Sequence, residues 1–356
     1  MRGQPERILL VIPSPALGGA EAQTLQVAHG LMRMGADVGI ALDTGLAEAA
    51  APLAPGARIF PIPLAFDAQA PAEAMRAAQA TALAPLLGPL KPDAALVCLP
   101  IPNEGLGAMQ ALHAAGVPML AVAHLVRRDW AIGPGDHAAA RGLDVGWAAV
   151  SDPAARRLEG VLGLPPGAVA TIPNGLPSAP PPSGARFGLP PRVPVLAMVG
   201  RLDVRKGAAL APGIAAALAP AVLAMAGRGP LEEALAGQPG VHLLGQIDDV
   251  PGLLARADAF LLPSDHEGCP LSVLEAARAG CPILATRAAL EAWPEAGQMA
   301  RFLVRDAQTI AHVVAECLRD VDGTQRRVAL ACEIAAAWDE AAMVARTAWL
   351  LAARCA

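Results

Sequence analysis

Short apolar segments alternate with helical stretches twice along this chain, and a proline-dense stretch, PSAPPPSGARFGLPPRVP, stands between the two series. The first series runs Ile8 to Ile12, Glu21 to Met34, Asp37 to Leu42, Ala94 to Leu99, Glu104 to Ala115, Pro118 to Ala123 and Ala148 to Val150. The second restarts with Val195 to Val199 and continues through Ala221 to Ala226, Val241 to Leu244, Ala259 to Leu262 and Ile283 to Ala285. Such a rhythm calls for parallel sheets covered by helices. Proline at that density continues neither a helix nor a central strand, so it reads as a stiff connector. The expected organisation is a Rossmann-like domain over 1–177, a linker over 178–194, a second α/β domain over 195–335 and a helix over 336–356 that straps back to the first domain.

With 356 residues the chain is long enough for two cores, and at 54% apolar and 17% charged residues it is too apolar for a disordered protein. A net charge of -5 leaves no global basic field to hold nucleic acid, and with no tyrosine and few other aromatics base-stacking platforms are scarce. The six cysteines form no CxxC pair, which argues against a zinc site and a disulfide framework and fits a reducing cytoplasm. Apolar residues near the N-terminus stop at Pro13, too early for a secretory core. Gly207 to Gly227 carries no charge and has the length of a membrane span. Pro212, Gly213 and Pro220 interrupt it, and a short helix, a turn and a strand account for it better.

Chemistry concentrates where strands end. The loop PSPALGGAE leaves the first strand and opens a helix, a place where the amides of Gly18 and Gly19 could approach a phosphate, or where two glycines simply allow a tight connection. GRLDVRKG sets Arg201 and Lys206 just past a strand, and Lys206 is one of only two lysines in the chain. Two cations there suit a diphosphate; a solvated loop charge is the plainer alternative. In FLLPSDHEGCPLSVLEAARAG, Glu267 falls in a loop and Glu275 on the helix after Pro270. The free amides of Leu271 and Ser272 would face phosphate oxygens while carboxylates accept bonds from sugar hydroxyls.

In these segments the chain resembles the family 4 retaining glycosyltransferases of the GT-B fold, which use nucleotide sugars. Glu267 and Glu275 in EGCPLSVLE match the family's glutamate pair, and GRLDVRKG, MAGRGPLEEAL and LLGQIDDVPGLLARADAFLLPS precede it in the family's order. GGAE, AVSD and IPNG at Asn174 and Gly175 extend the likeness upstream. The resemblance implies two Rossmann-like domains facing across a cleft, with C-terminal helices crossing back. It implies that Arg201 and Lys206 neutralise the donor diphosphate, Glu275 binds the ribose, Glu267 orients the sugar, and Gly18 and Gly19 close over the phosphate. His124 falls where the family often has a histidine facing the reaction centre; a histidine satisfied by backbone at a strand end is the alternative.

The implied partners are a UDP- or GDP-sugar and a glycan or lipid-linked acceptor, with no cofactor and no metal. Peripheral contact with the inner face of a membrane would follow from a lipid-linked acceptor. The one DxD, Asp320 to Asp322, reads as a helix-end turn. The family's Gly-rich turn after Thr286 is replaced here by RAALEAWPEAG, and Arg278 stands where a small residue is usual. A catalytically inactive GT-B relative is the rival reading. A hinged sugar-binding protein would bring a signal peptide and no diphosphate cations, and a nicotinamide enzyme would need GxGxxG with a following acid.

Overall fold

The computed structural model of the protein describes residues 5–67, 69–178, 184, 185 and 187–355. Six residues of the expected linker, 179–183 and 186, lie outside them. The chain divides into two compact units, one running to Gly175 and resuming at Glu340, the other spanning Leu176–Asp339.

The first unit holds seven parallel strands: β1 (Arg7–Ile12), β2 (Asp37–Asp43), β3 (Arg58–Ile62), β4 (Ala94–Leu99), β5 (Met119–Ala123), β6 (Gly146–Ala149) and β7 (Val169–Thr171), in the order β3-β2-β1-β4-β5-β6-β7. β4 is buried at every position, as expected of a parallel strand covered on both faces. Leu9, Val97, Met109, Leu112 and Leu158 belong to one continuous core. The helix Glu340–Arg354 packs against the helix Gly19–Arg33 and against β4 and β5, all inside this unit.

The second unit holds β8 (Val195–Val199), β9 (Val222–Ala226), β10 (Val241–Gly245), β11 (Ala259–Leu262), β12 (Ile283–Thr286) and β13 (Arg301–Leu303), again all parallel, ordered β10-β9-β8-β11-β12-β13. In both sheets the strand order turns back between the first and fourth strands of the unit. Ligands of open α/β sheets sit beyond the strand ends at such a point. In the second unit that places the loops after β8 and β11 side by side.

Several elements carry no clear periodic signal. β3 is an edge strand whose Pro61 stands opposite Leu42, a position where a missing N–H is tolerated. The helix Ala72–Leu90 contains Pro85 and Pro89 and buries only Gln79, Leu83 and Leu87. β7 and β13, at three residues each, are too short to show alternation. The uncharged stretch Gly207 to Gly227 resolves into a 3-10 turn, the helix Ala211–Ala217 and β9. Among the described residues no helix is long and apolar enough to cross a membrane.

The departures from the family pattern have local structural roles. Arg278 ends the helix Leu271–Arg278 and donates from Nη1 to the carbonyls of Leu176 (3.2 Å) and Pro177 (2.8 Å), and from Nη2 to that of Trp338 (3.1 Å). After Thr286 the chain makes a 3-10 turn, Arg287–Ala289, capped by the threonine hydroxyl, which accepts from the Ala289 N–H at 3.1 Å. Arg287 lies over the Phe302 ring, 3.9 Å from its centroid. The loss of the Gly-rich turn is thus filled by a capped turn and a cation stacked on β13.

Candidate active site

In the second unit Arg201, Asp203 and Lys206 on the loop beyond β8 meet Glu267 on the neighbouring loop beyond β11. Beyond β8, Arg201 Nε donates to Asp203 Oδ2 at 2.7 Å, and the Lys206 N–H donates to Asp203 Oδ1 at 2.8 Å. Beyond β11, Glu267 Oε1 receives the Lys206 ammonium at 2.6 Å. A backbone bond from the Asp265 N–H to the Arg205 carbonyl, 2.9 Å, joins the two loops.

Two glycines let the backbones come this close. Gly207 has φ +80°, and a Cβ there would lie 2.6 Å from the Pro263 carbonyl oxygen. Gly227, at the end of β9, has φ +128°, and its Cβ would lie 2.1 Å from the Gly200 carbonyl oxygen, one residue before Arg201.

The charges are layered. The side chains of Asp203 and Glu267 each keep 10% of their surface, whereas Arg201 keeps 69% and Lys206 33%. Acids lie inside and cations outside, so an approaching anion meets positive charge first. Burial pushes the Asp203 carboxyl up, but bonds from the Lys206 N–H and the Arg201 guanidinium outweigh it and hold it below the usual carboxylate range.

The helix Leu271–Arg278 follows directly. Pro270 stands at its N-cap in extended conformation with no side-chain cap, so the amides of Leu271 and Ser272 sit in its uncapped first turn. Glu275 reaches solvent with part of its surface, yet burial of its carboxyl raises the pKa from 4.5 to about 7. Among the described residues its carboxyl has no hydrogen-bond partner, unlike that of Glu267.

In the first unit Gly18 and Gly19 are exposed at the start of the helix Gly19–Arg33, after β1. Neither has positive φ, and a Cβ on Gly19 would meet nothing within 4 Å, so the space over this helix end is open. Glu21, 3% exposed, accepts the Gly18 N–H at 2.8 Å, so that amide is already engaged. Glu21 therefore caps the helix as well as complementing its dipole. His124 immediately follows β5. Its N–H donates to the Leu99 carbonyl at 2.9 Å, but its Nε2 is buried without a partner, and burial lowers its pKa to about 4. The ring is neutral near pH 7. Backbone alone does not satisfy it.

Asp203 is the residue that sequence reasoning missed. Its spacing within GRLDVRKG, two residues after Arg201 and three before Lys206, is the signal that could have exposed it. Among the described residues no three or more His, Cys, Asp or Glu side chains are grouped to hold a metal ion. Asp320 accepts the Gly323 N–H at 3.0 Å and pairs with Arg301, at the junction of two helices.

Comparison with known proteins agrees with this architecture. Residues 17–179 match the family description Glycosyltransferase Family 4, and residues 193–320 match Glycosyl transferases group 1. The sulfoquinovosyl transferase SQD2 of Arabidopsis thaliana is 36% identical over 103 residues, which are 28% of this chain and 20% of that protein. The chain spans only that fifth of the plant enzyme. Among solved structures, Anabaena HepE in complex with UDP-glucose aligns with a TM-score of 0.75 at 17% identity, over 96% of this chain and 98% of that one. Sucrose-phosphate synthase from Thermosynechococcus elongatus gives 0.75 at 18%, over 97% and 98%. Two parallel-sheet units in this order, with both family domains in sequence across most of the chain, make this protein a member of the family 4 glycosyltransferases of the GT-B fold.

Proposed function

We propose that the protein moves a sugar, with retention of configuration, from a UDP- or GDP-sugar to a carbohydrate or lipid-linked acceptor without a divalent metal. The observation that carries this reading is the layered charge set at the switch point of the second sheet. Arg201 and Lys206 neutralise the donor diphosphate, and the first-turn amides at Leu271 and Ser272 supply further positive potential. Fixed cations of this kind stabilise a diphosphate leaving group as its charge develops. Glu267 orients the transferred sugar, and Glu275, a carboxyl with no internal partner, takes the ribose hydroxyls. In the first unit, the exposed helix start at Gly18 and Gly19 suits a phosphate, and the neutral His124 ring offers an unpartnered Nε2 to a substrate. Attack occurs from the face the diphosphate leaves, through an ion-pair-like transition state, so the anomeric configuration is kept. The solved complex of Anabaena HepE with UDP-glucose favours a uridine donor.

Calorimetry with UDP and GDP, with and without EDTA, tests the reading. Arg201→Ala and Lys206→Ala are each expected to weaken nucleotide binding about 10- to 150-fold, the scale of one charge-assisted phosphate contact. Unchanged affinity in both variants removes these residues from the site. Nucleotide binding by a wild type that consumes no sugar donor would point to an inactive relative instead.

The Glu275 carboxyl adds a pH signature. With a folded-state pKa of about 7 against an ordinary 4.5, the native protein holds a proton between these values that the unfolded chain has lost. Native stability therefore falls as pH rises from 4.5 through 7 and levels off above. Glu275→Gln is expected to gain most in melting temperature at pH 8 and little at pH 5. UDP affinity, which uses the carboxylate form, is expected to rise between pH 6 and pH 8 in the wild type and to stay level in Glu275→Gln. Parallel pH profiles for the two proteins would remove Glu275 from the ribose site.

A further inference from the structure

Resting on the donor-site reading above, we infer that Asp203 is the positioning residue for both diphosphate cations, holding the Arg201 guanidinium by its Nε edge and the Lys206 loop by its backbone N–H. The two carboxylate oxygens divide the work. Oδ2 accepts from Arg201 Nε at 2.7 Å and Oδ1 from the Lys206 N–H at 2.8 Å, so one rigid group fixes the spacing of two cations five residues apart.

A free arginine on an exposed loop samples many rotamers, and ordering it on ligand binding carries an entropic cost. Asp203 removes much of that cost beforehand. Because it grips Nε, the two Nη groups stay available, and among the described residues no acceptor takes them. On the other side, fixing the Lys206 amide fixes where its side chain starts, which lets Nζ reach Glu267 at 2.6 Å. The carbonyl of Asp203 adds a third tie by accepting the Ala208 N–H at 3.1 Å. Asp203 itself is 7% exposed. Its negative charge lies behind the cations and does not face the ligand.

The test is calorimetric titration of UDP and GDP into the full chain carrying Asp203→Ala, Arg201→Ala, both together, Lys206→Ala or Asp203→Asn, with melting temperatures alongside. Asp203→Ala is expected to weaken binding about tenfold, the scale of losing a charge-assisted arrangement. In the Arg201→Ala background the same substitution should cost clearly less, because the guanidinium it orients is gone. Asp203→Asn keeps an acceptor for the Lys206 N–H and removes the charge facing Arg201. It is expected to lose affinity at an unchanged melting temperature, and it serves if Asp203→Ala does not fold. Equal losses in both backgrounds, or wild-type affinity in both Asp203 variants while Arg201→Ala and Lys206→Ala bind weakly, overturns the inference alone. Wild-type affinity in Arg201→Ala and Lys206→Ala overturns the donor-site reading, and the inference with it.

Discussion

Glu267→Ala is expected to lower consumption of the sugar donor about 10²-fold while leaving UDP or GDP affinity at or above the wild-type level. A carboxylate that contacts the sugar more strongly as the glycosidic bond breaks acts on the transition state and not on the bound ground state. Losing one such preorganised contact is worth roughly 3 kcal/mol, hence the factor. The affinity half of the expectation comes from the ion pair. Glu267 holds the Lys206 ammonium at 2.6 Å, and its removal leaves that charge unneutralised at the proposed diphosphate site. Donor hydrolysis measured without an acceptor, together with nucleotide titration, separates the two effects. Wild-type turnover combined with lost nucleotide affinity would show that the two glutamates have been assigned the wrong way round.

Gly227→Ala is expected to destabilise the second unit by about 3 kcal/mol and to weaken nucleotide binding in the fraction that folds. Residues other than glycine at such a backbone conformation carry a strain of about 1 to 3 kcal/mol. To this is added a Cβ placed 2.1 Å from the Gly200 oxygen, which forces two backbone segments apart. The segments are otherwise stitched together: the Gly200 N–H donates to Ala226, and the Leu202 N–H to Arg228, both at 2.9 Å. The displaced carbonyl belongs to the residue before Arg201, so the loop carrying Arg201 moves with it. Urea denaturation followed by UDP titration is the measurement. Wild-type stability would mean that the loops can separate without loss.

Much of this site is legible in the amino-acid sequence, because its charged residues sit in loops just past apolar runs. GRLDVRKG and EGCPLSVLE stand out by contrast with their surroundings. What is not legible depends on contacts between distant segments. The pairing of Lys206 with Glu267 joins positions 61 apart in sequence, and neither loop alone specifies its partner. In the sequence Asp203 is one more loop acid; only its burial and its two donors set it apart. Of the fold, the fully buried strands are plain from their apolar runs. β3 and the helix Ala72–Leu90 are hidden because their prolines break the periodic pattern while edge position and local geometry tolerate them. Arg278 shows only as a large residue in a small one's place, since its three carbonyl acceptors lie about 60 and about 100 residues away.

Arg278 also bears on how the chain is threaded. The Leu176 N–H donates to the Trp338 carbonyl at 3.1 Å, Leu176 bridges to Asp339, and the same guanidinium holds both segments. The second unit thus begins and ends at one point, as an insert does when placed in a host domain through a single site. Domains with adjacent termini tolerate excision and circular permutation. Residues 176–339 are therefore expected to behave as a cassette that can be cut out, rejoined through its own ends or exchanged with a relative's, with Gly175 reconnected to Glu340 in the first unit.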